Sequence, residues 1–137
     1  MSGLAFLDSN IFVYADDASN PVKQGVAIRL IQEKVLARQA LVSLQVMQEY
    51  FAVATRKLGV LPEVAQQKVE LMTRMRVVRF NELDVISAIE LHRLHRISFW
   101  DSMIVHAAKL GGAEVLLSED LNAGGSLGGV RIVNPFA

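Results

Sequence analysis

Short apolar runs alternate with longer segments of helical periodicity along the whole chain, and this alternation limits its possible folds more than any other feature. The runs Leu4–Leu7, Ala40–Val42, Val77–Phe80, Val115–Leu117 and Val130–Val133 are too short for helices and read as strands. Their continuous apolar character suits strands covered on both faces. A helical segment runs from Pro21 or Val22 to about Arg38. The next, Leu44 to Leu58, has Ser43 as N-cap and Gly59 as C-cap, and Pro62 opens another that reaches about Arg74. Asn81 caps Glu82 to about His95, and Ser98 caps Phe99 to Leu110, which Gly111 and Gly112 end. The pattern predicts an α/β fold with a central, mainly parallel sheet of about five strands flanked by helices. With no linker or repeat in view, residues 1–137 read as one domain. The stretch "NAGGSLGG", 122–129, carries four glycines and is expected to form a mobile loop beside Asp120.

Composition narrows the function classes. Hydrophobic residues make up 52% and mean hydropathy is +0.32, so the interior is large or some apolar surface meets a partner. No apolar run approaches the roughly 18 residues a membrane span needs. The N-terminus reaches Asp8 after a short apolar stretch without a basic region, which is not the pattern of a signal peptide. The chain has no cysteine, so disulfides and thiolate metal sites are excluded and a cytoplasmic location is expected. Formal net charge is zero, but residues 21–80 hold ten Lys or Arg against four acids, and the flanking segments hold the reverse excess. Such a split suits an anionic polymer brought to an acidic site, although on charge alone ordinary solvated helix faces are the favoured reading.

The acids gather at one edge of the expected sheet. Asp8 directly follows the first strand, Asp120 lies just past the fourth, Glu49 is in the second turn of the helix after the second strand, and Asp101 is in the first turn of its helix. Ligands of open parallel sheets bind at the carboxyl ends of the strands, an edge all four acids can reach. Each also has a structural reading. Asp8 can cap the turn "DSNIF". Asp101 fits a capping box in "SFWD", although at about 100° per residue it flanks the apolar stripe of Trp100, Ile104 and Ala107. Glu49 lies opposite a core stripe of Leu44, Met47, Phe51, Ala54 and Leu58, which favours an exposed surface acid. Glu119 and Asp120 pass as loop acids.

Convergence makes the case that single positions do not. Two carboxylates about 4 Å apart repel by roughly 4 kcal/mol at an effective dielectric near 20. No Lys or Arg adjoins Asp8, Asp101 or Asp120 in sequence, so a divalent cation is the economical counter-charge, and oxygen-only ligands select Mg²⁺ or Mn²⁺. His92 and His95 stand one turn apart near a helix end, where interaction with the helix C-terminus is expected rather than metal binding. His106 is expected to face solvent. "GGSLGG" lacks the Lys and the following helix of a phosphate-binding loop.

Five ordered segments, "LDSNIFVY", Ser43 through "EY" at 49–50, "ISFWDSMIVHAA", "VLLSEDLN" and "IVNPF", resemble the PIN domain, and within it the VapC-type ribonuclease toxins of toxin–antitoxin pairs. The resemblance implies a PIN-like fold, an acidic pocket holding Mg²⁺ or Mn²⁺, and endonucleolytic cleavage of RNA. By position, Asp8, Glu49, Asp101 and Asp120 match the family's acids, with Asn10 and Ser118 as supporting polar residues. Ser118 stands where Thr is commoner, and Asn122 where some relatives carry a further acid. For Glu49 the resemblance implies either a helix embedded on both sides or a pocket-facing end. It also implies a cognate antitoxin and a homodimer. Arg29, Lys34, Arg38, Arg56 and Lys57 are candidates for phosphate contacts.

In that reading Asp8 and Asp101 anchor the metal, while Glu49 and Asp120 complete its shell or assist a second ion. A haloacid-dehalogenase-type phosphatase needs a second Asp where Asn10 stands, and a response-regulator receiver needs a Lys and a second N-terminal acid that are missing. A catalytically silent PIN-like module that binds RNA or protein is the non-enzymatic alternative.

Overall fold

The computed structural model describes residues 3–121 and 125–137. In chain order its elements are β1 (Ala5–Leu7), α1 (Ser9–Ala15), α2 (Pro21–Leu36), β2 (Ala40–Ser43), α3 (Leu44–Lys57), α4 (Pro62–Met72), β3 (Arg76–Val78), α5 (Glu82–His95), α6 (Phe99–Leu110), β4 (Val115–Leu117), β5 (Ser126–Leu127) and β6 (Val130–Val133). The strands form one sheet in the order β3-β2-β1-β4-β6-β5, parallel except where β5 meets β6. The chain moves outward from β1 through β2 to β3, then returns across β1 to lay down β4. Because parallel crossovers are right-handed, this reversal puts α5 and α6 on the face opposite the first four helices.

The strands are short because both faces are covered. Ala5, Phe6, Leu7, Val42 and Leu116 have no exposed surface, and Leu41 and Ile132 nearly none. The expected caps form: Ser43 accepts from the Val46 amide, Ser98 from that of Asp101, and Asn81 with Asp84 makes a reciprocal capping box. Gly59 sits just beyond α3 at φ +66°, a left-handed position that glycine takes without strain. At Gly111 a Cβ would come within 2.4 Å of Leu41 Cδ2, so only glycine lets α6 end this close to the sheet.

Several expectations are corrected. The expected mainly parallel sheet forms, with six strands among the described residues, one more than the five runs read from sequence. Ser126–Leu127, expected within a mobile loop, pairs antiparallel with Val130–Arg131. Asn122 lies outside the described residues. "DSNIF" opens a seven-residue helix rather than a turn. The third strand stops at Val78, and Phe80 instead meets the His106 ring edge-on at 5.3 Å. His106 is half-buried, not solvent-facing, because Asp84 Oδ1 pairs with its Nε2 at 2.9 Å. His92 Nδ1 reaches the Ile97 carbonyl at 2.5 Å, across the turn that follows α5.

The buried face of α3 is also rotated from the expected one. Val46, Met47, Tyr50 and Ala54 are buried, whereas Leu44 and Phe51 are exposed. Tyr50 can be fully buried because its hydroxyl donates to Asp16 Oδ2 at 2.5 Å, which removes the cost of an unpaired polar group. Lys68 pairs with the other Asp16 oxygen, tying α3 and α4 to the end of α1.

Candidate active site

The site begins with sheet register. Leu7 of β1 is the partner of Leu117 of β4, so Asp8 and Ser118 leave the sheet side by side. The Asp8 amide still donates to the Leu117 carbonyl at 3.1 Å. Strand order reverses between β1 and β4, which makes this the crevice where open α/β sheets place ligands.

Asp8 caps α1 and belongs to the cluster at once. Its Oδ1 accepts from the Ser9 amide at 2.7 Å, and its Oδ2 accepts from the Ser118 hydroxyl, also at 2.7 Å. Ser118 Oγ in turn accepts from Asn10 Nδ2 at 3.3 Å and from the Asp120 amide at 3.1 Å. Asn10 Nδ2 also donates to Asp120 Oδ2 at 3.0 Å, which holds that exposed carboxylate toward α1. One buried serine therefore uses its hydrogen and both lone pairs to connect three expected site residues.

Glu49 enters from α3. The rotation that buries Val46 and Tyr50 moves it from the far side of the helix to the flank of the buried face, where it is half-buried. Ser9 Oγ donates to its Oε1 at 3.2 Å and Gln45 Nε2 to its Oε2 at 3.3 Å. Gln45 Nε2 also contacts the Trp100 carbonyl at 3.2 Å and links α3 to the first turn of α6. Asp101 occupies that turn, half-buried, with its amide on Ser98 Oγ at 3.0 Å. Trp100, expected in the apolar stripe of α6, is 60% exposed; Ser102, Ile104, Val105, Ala107 and Ala108 form the buried face instead.

Charge couples these groups. Burial raises the Asp8 carboxyl from 3.8 to about 6, against the lowering effect of hydrogen bonds from Ser118 and Ser9; the Glu49 and Asp120 charges add to the rise. Burial also raises Asp101, the Ser98 hydroxyl opposes it, and the Asp120 charge adds to it. No cation is among the groups that shift either acid. Among the described residues no three acids or histidines stand close enough to form a ready-made ligand cage. The donor set nevertheless fits a hard divalent cation. It is all oxygen, it centres on a desolvated carboxylate with anionic neighbours, and such ions retain water in their shell.

Residues that sequence reasoning missed brace the acids. Ser9 follows Asp8 directly, and Gln45 precedes Glu49 by one helical turn, so adjacency and i, i+4 spacing were the available signals. Glu119, expected as a loop acid, takes a 2.5 Å bond from Lys23 Nζ and a 2.6 Å bond from the Tyr14 hydroxyl, while its amide reaches Asn10 Oδ1 at 3.4 Å. Lys23 also lies over the Tyr14 ring at 4.7 Å.

The five expected phosphate-contact residues do not touch the acids. Arg29 and Lys34 lie on α2, Arg56 and Lys57 in the last turn of α3, and Arg38 at the entry to β2, on the opposite edge of the sheet. There Arg38 joins Val35, Leu36, Leu71, Arg74 and Arg76 around an apolar groove of about 890 Å³. No carboxylate lines this groove, so it offers no acid for the chemistry.

A profile of the PIN domain family matches residues 5–123. A comparison with functionally curated proteins returns no match. Among solved structures, the chain is similar to the Mycobacterium tuberculosis toxin VapC20, described as cleaving the sarcin-ricin loop. That match has 22% identity over 82% of this chain and 86% of that one, with a TM-score of 0.68. A toxin–antitoxin complex from Klebsiella pneumoniae matches at 16% identity, TM-score 0.69, over 96% of this chain and 97% of that one. A DNA-bound VapBC from Salmonella typhimurium matches at 20% identity, TM-score 0.66, over 94% and 96%.

Proposed function

Since the chain belongs to the PIN domain family, we propose that it is an endoribonuclease that uses Mg²⁺ or Mn²⁺, and that it is the toxin of a toxin–antitoxin pair. The observation that carries this reading is the buried Asp8 carboxylate, raised to about 6 and sensing Glu49 and Asp120 with no cation to offset it. Such a perturbed acid at a sheet's switch point marks a functional site, and an all-oxygen donor set marks the type of ion.

Asp8 and Asp101 would anchor the ion, with Glu49 and Asp120 completing its shell directly or through water, and an ion held there would supply acidity to water and charge to offset the phosphate. The chain's own groups do the rest. Ser118 orients the Asp8 carboxylate, Asn10 orients Asp120, and Ser9 with Gln45 orients Glu49. With water as nucleophile, the products carry 5′-phosphate and 3′-hydroxyl ends.

The similar structures that contain toxin–antitoxin complexes support a protein antitoxin as partner. The apolar groove rimmed by Arg38, Arg74 and Arg76 suits an acidic amphipathic segment of such a protein. The test is cleavage of structured RNA in Mg²⁺, set against chelator and against Asp8→Asn, with the product ends mapped. Cleavage that survives both controls, or a 2′,3′-cyclic phosphate product, overturns the mechanism. Binding without cleavage by the wild-type chain assigns it instead to the catalytically silent modules.

A further inference from the structure

Trp100 is the most exposed aromatic among the described residues, at 60%, while Phe6 and Tyr50 are fully buried and Phe12 nearly so. Its backbone and ring each have a neighbour. Its carbonyl accepts from Gln45 Nε2 at 3.2 Å, the same nitrogen that bonds Glu49, and the Phe99 ring meets it edge-on, with centroids 5.2 Å apart and planes at 65°. It directly precedes Asp101 in the first turn of α6. A solvent-facing indole in the helical turn that carries Asp101 contributes little to folding and is well placed for a nucleobase.

We infer that Trp100 is the stacking platform for an unpaired RNA base beside the scissile phosphate. This rests on the nuclease reading above and adds how the strand is gripped. Every base offers a π-face, and one base–aromatic stack is worth roughly 1–3 kcal/mol. With a divalent ion bound, the acid pocket would take the phosphate, and the indole offers a contact of another kind, to the base. A second copy of the chain is the rival occupant of the indole. A two-fold pairing centred on Trp100 would set two acidic rims, each with Asp101, against one another, whereas RNA would bring its phosphate to the metal-loaded acids as its base meets the indole.

Trp100 is the only tryptophan in the chain, so its emission reports the contact directly. The probe is an RNA hairpin with an adenine-rich loop, titrated in Mg²⁺ into the Asp8→Asn variant so that binding is read without cleavage. Binding should quench the emission. Replacing loop adenines with abasic sites should weaken affinity by about 5- to 150-fold, the range one stack supplies. In the otherwise wild-type chain, Trp100→Leu should raise KM by a similar factor with kcat little changed, and Trp100→Phe should restore most of it. A quench with a wild-type chain that fails to cleave supports the platform and overturns the nuclease reading. Unchanged emission, equal affinity for the abasic hairpin, or an emission shift that follows protein concentration without RNA overturns the platform.

Discussion

Ser118 Oγ donates to Asp8 Oδ2 at 2.7 Å, joining residues 110 positions apart because their strands are adjacent and in register. The bond lowers the pKa of a carboxyl that burial raises, and the same oxygen receives Asn10 and the Asp120 amide. Ser118→Ala removes that donor, deprives the Asp120 amide of its acceptor and leaves Asn10 Nδ2 with Asp120 Oδ2 alone. It should destabilise the protein by about 1–3 kcal/mol, read by urea denaturation at pH 7.5. A variant within experimental error of wild type would show that the network is incidental.

Asp8 makes the metal-free protein sensitive to pH in a defined direction. Its folded pKa of about 6 lies above the ordinary 3.8, so between these values the folded state retains a proton that the unfolded chain has released. The penalty is absent below about pH 4, grows as pH rises, and is complete above about pH 6, where the shift corresponds to about 3 kcal/mol. Asp8→Asn removes it and still caps α1. The variant should therefore be the more stable protein at pH 7.5, with the gap closing by pH 4. Melting curves across that range in chelator test this, and a constant gap would refute the assigned cause.

The same variant should lose the response to Mg²⁺. In the wild type, saturating Mg²⁺ should raise Tm at pH 7.5, because an ion that binds only the folded state stabilises it by mass action. Asp8→Asn and Asp101→Asn should each abolish most of that rise, measured by scanning calorimetry. They should also lower kcat/KM on RNA by at least about 100-fold, the scale for removing a preorganised electrostatic group.

Lys23→Met should separate stability from activity. The Lys23–Glu119 contact is half-buried at the surface, so its loss should lower Tm only modestly. It releases the strut beside Ser118 and Asp120, and a small misplacement there should cost on the order of tenfold in kcat/KM. Faster hydrogen exchange at the Glu119 amide would confirm that the loop has loosened, and full activity would dismiss the strut.

The local elements were legible because their signals are local. Ser43, Asn81 and Ser98 cap the expected helices, and the strands at Val115–Leu117 and Val130–Val133 have the expected bounds. The two-residue strand Ser126–Leu127 was not legible, since it exists only through pairing with β6. Periodicity also misled on α3 and α6. It assumed that the bulkiest apolar residues face inward, yet Tyr50 is buried while Phe51 and Trp100 are exposed. Tyr50 can go inside only because Asp16 is there to receive its hydroxyl, and helix spacing carries no information about that partner.

From its sequence this chain determined the alternation of strand and helix, the caps, and the placing of Asp8, Glu49, Asp101 and Asp120 near strand ends or helix starts, because each depends on residues a few positions apart. Tertiary structure decided that Asp8 lies beside Ser118, that α3 turns Glu49 toward Ser9, and that His106 meets Asp84. Those contacts depend on strand order and on which face of each helix finds neighbours. Both are set by packing across the whole chain, so no local window of sequence contains them.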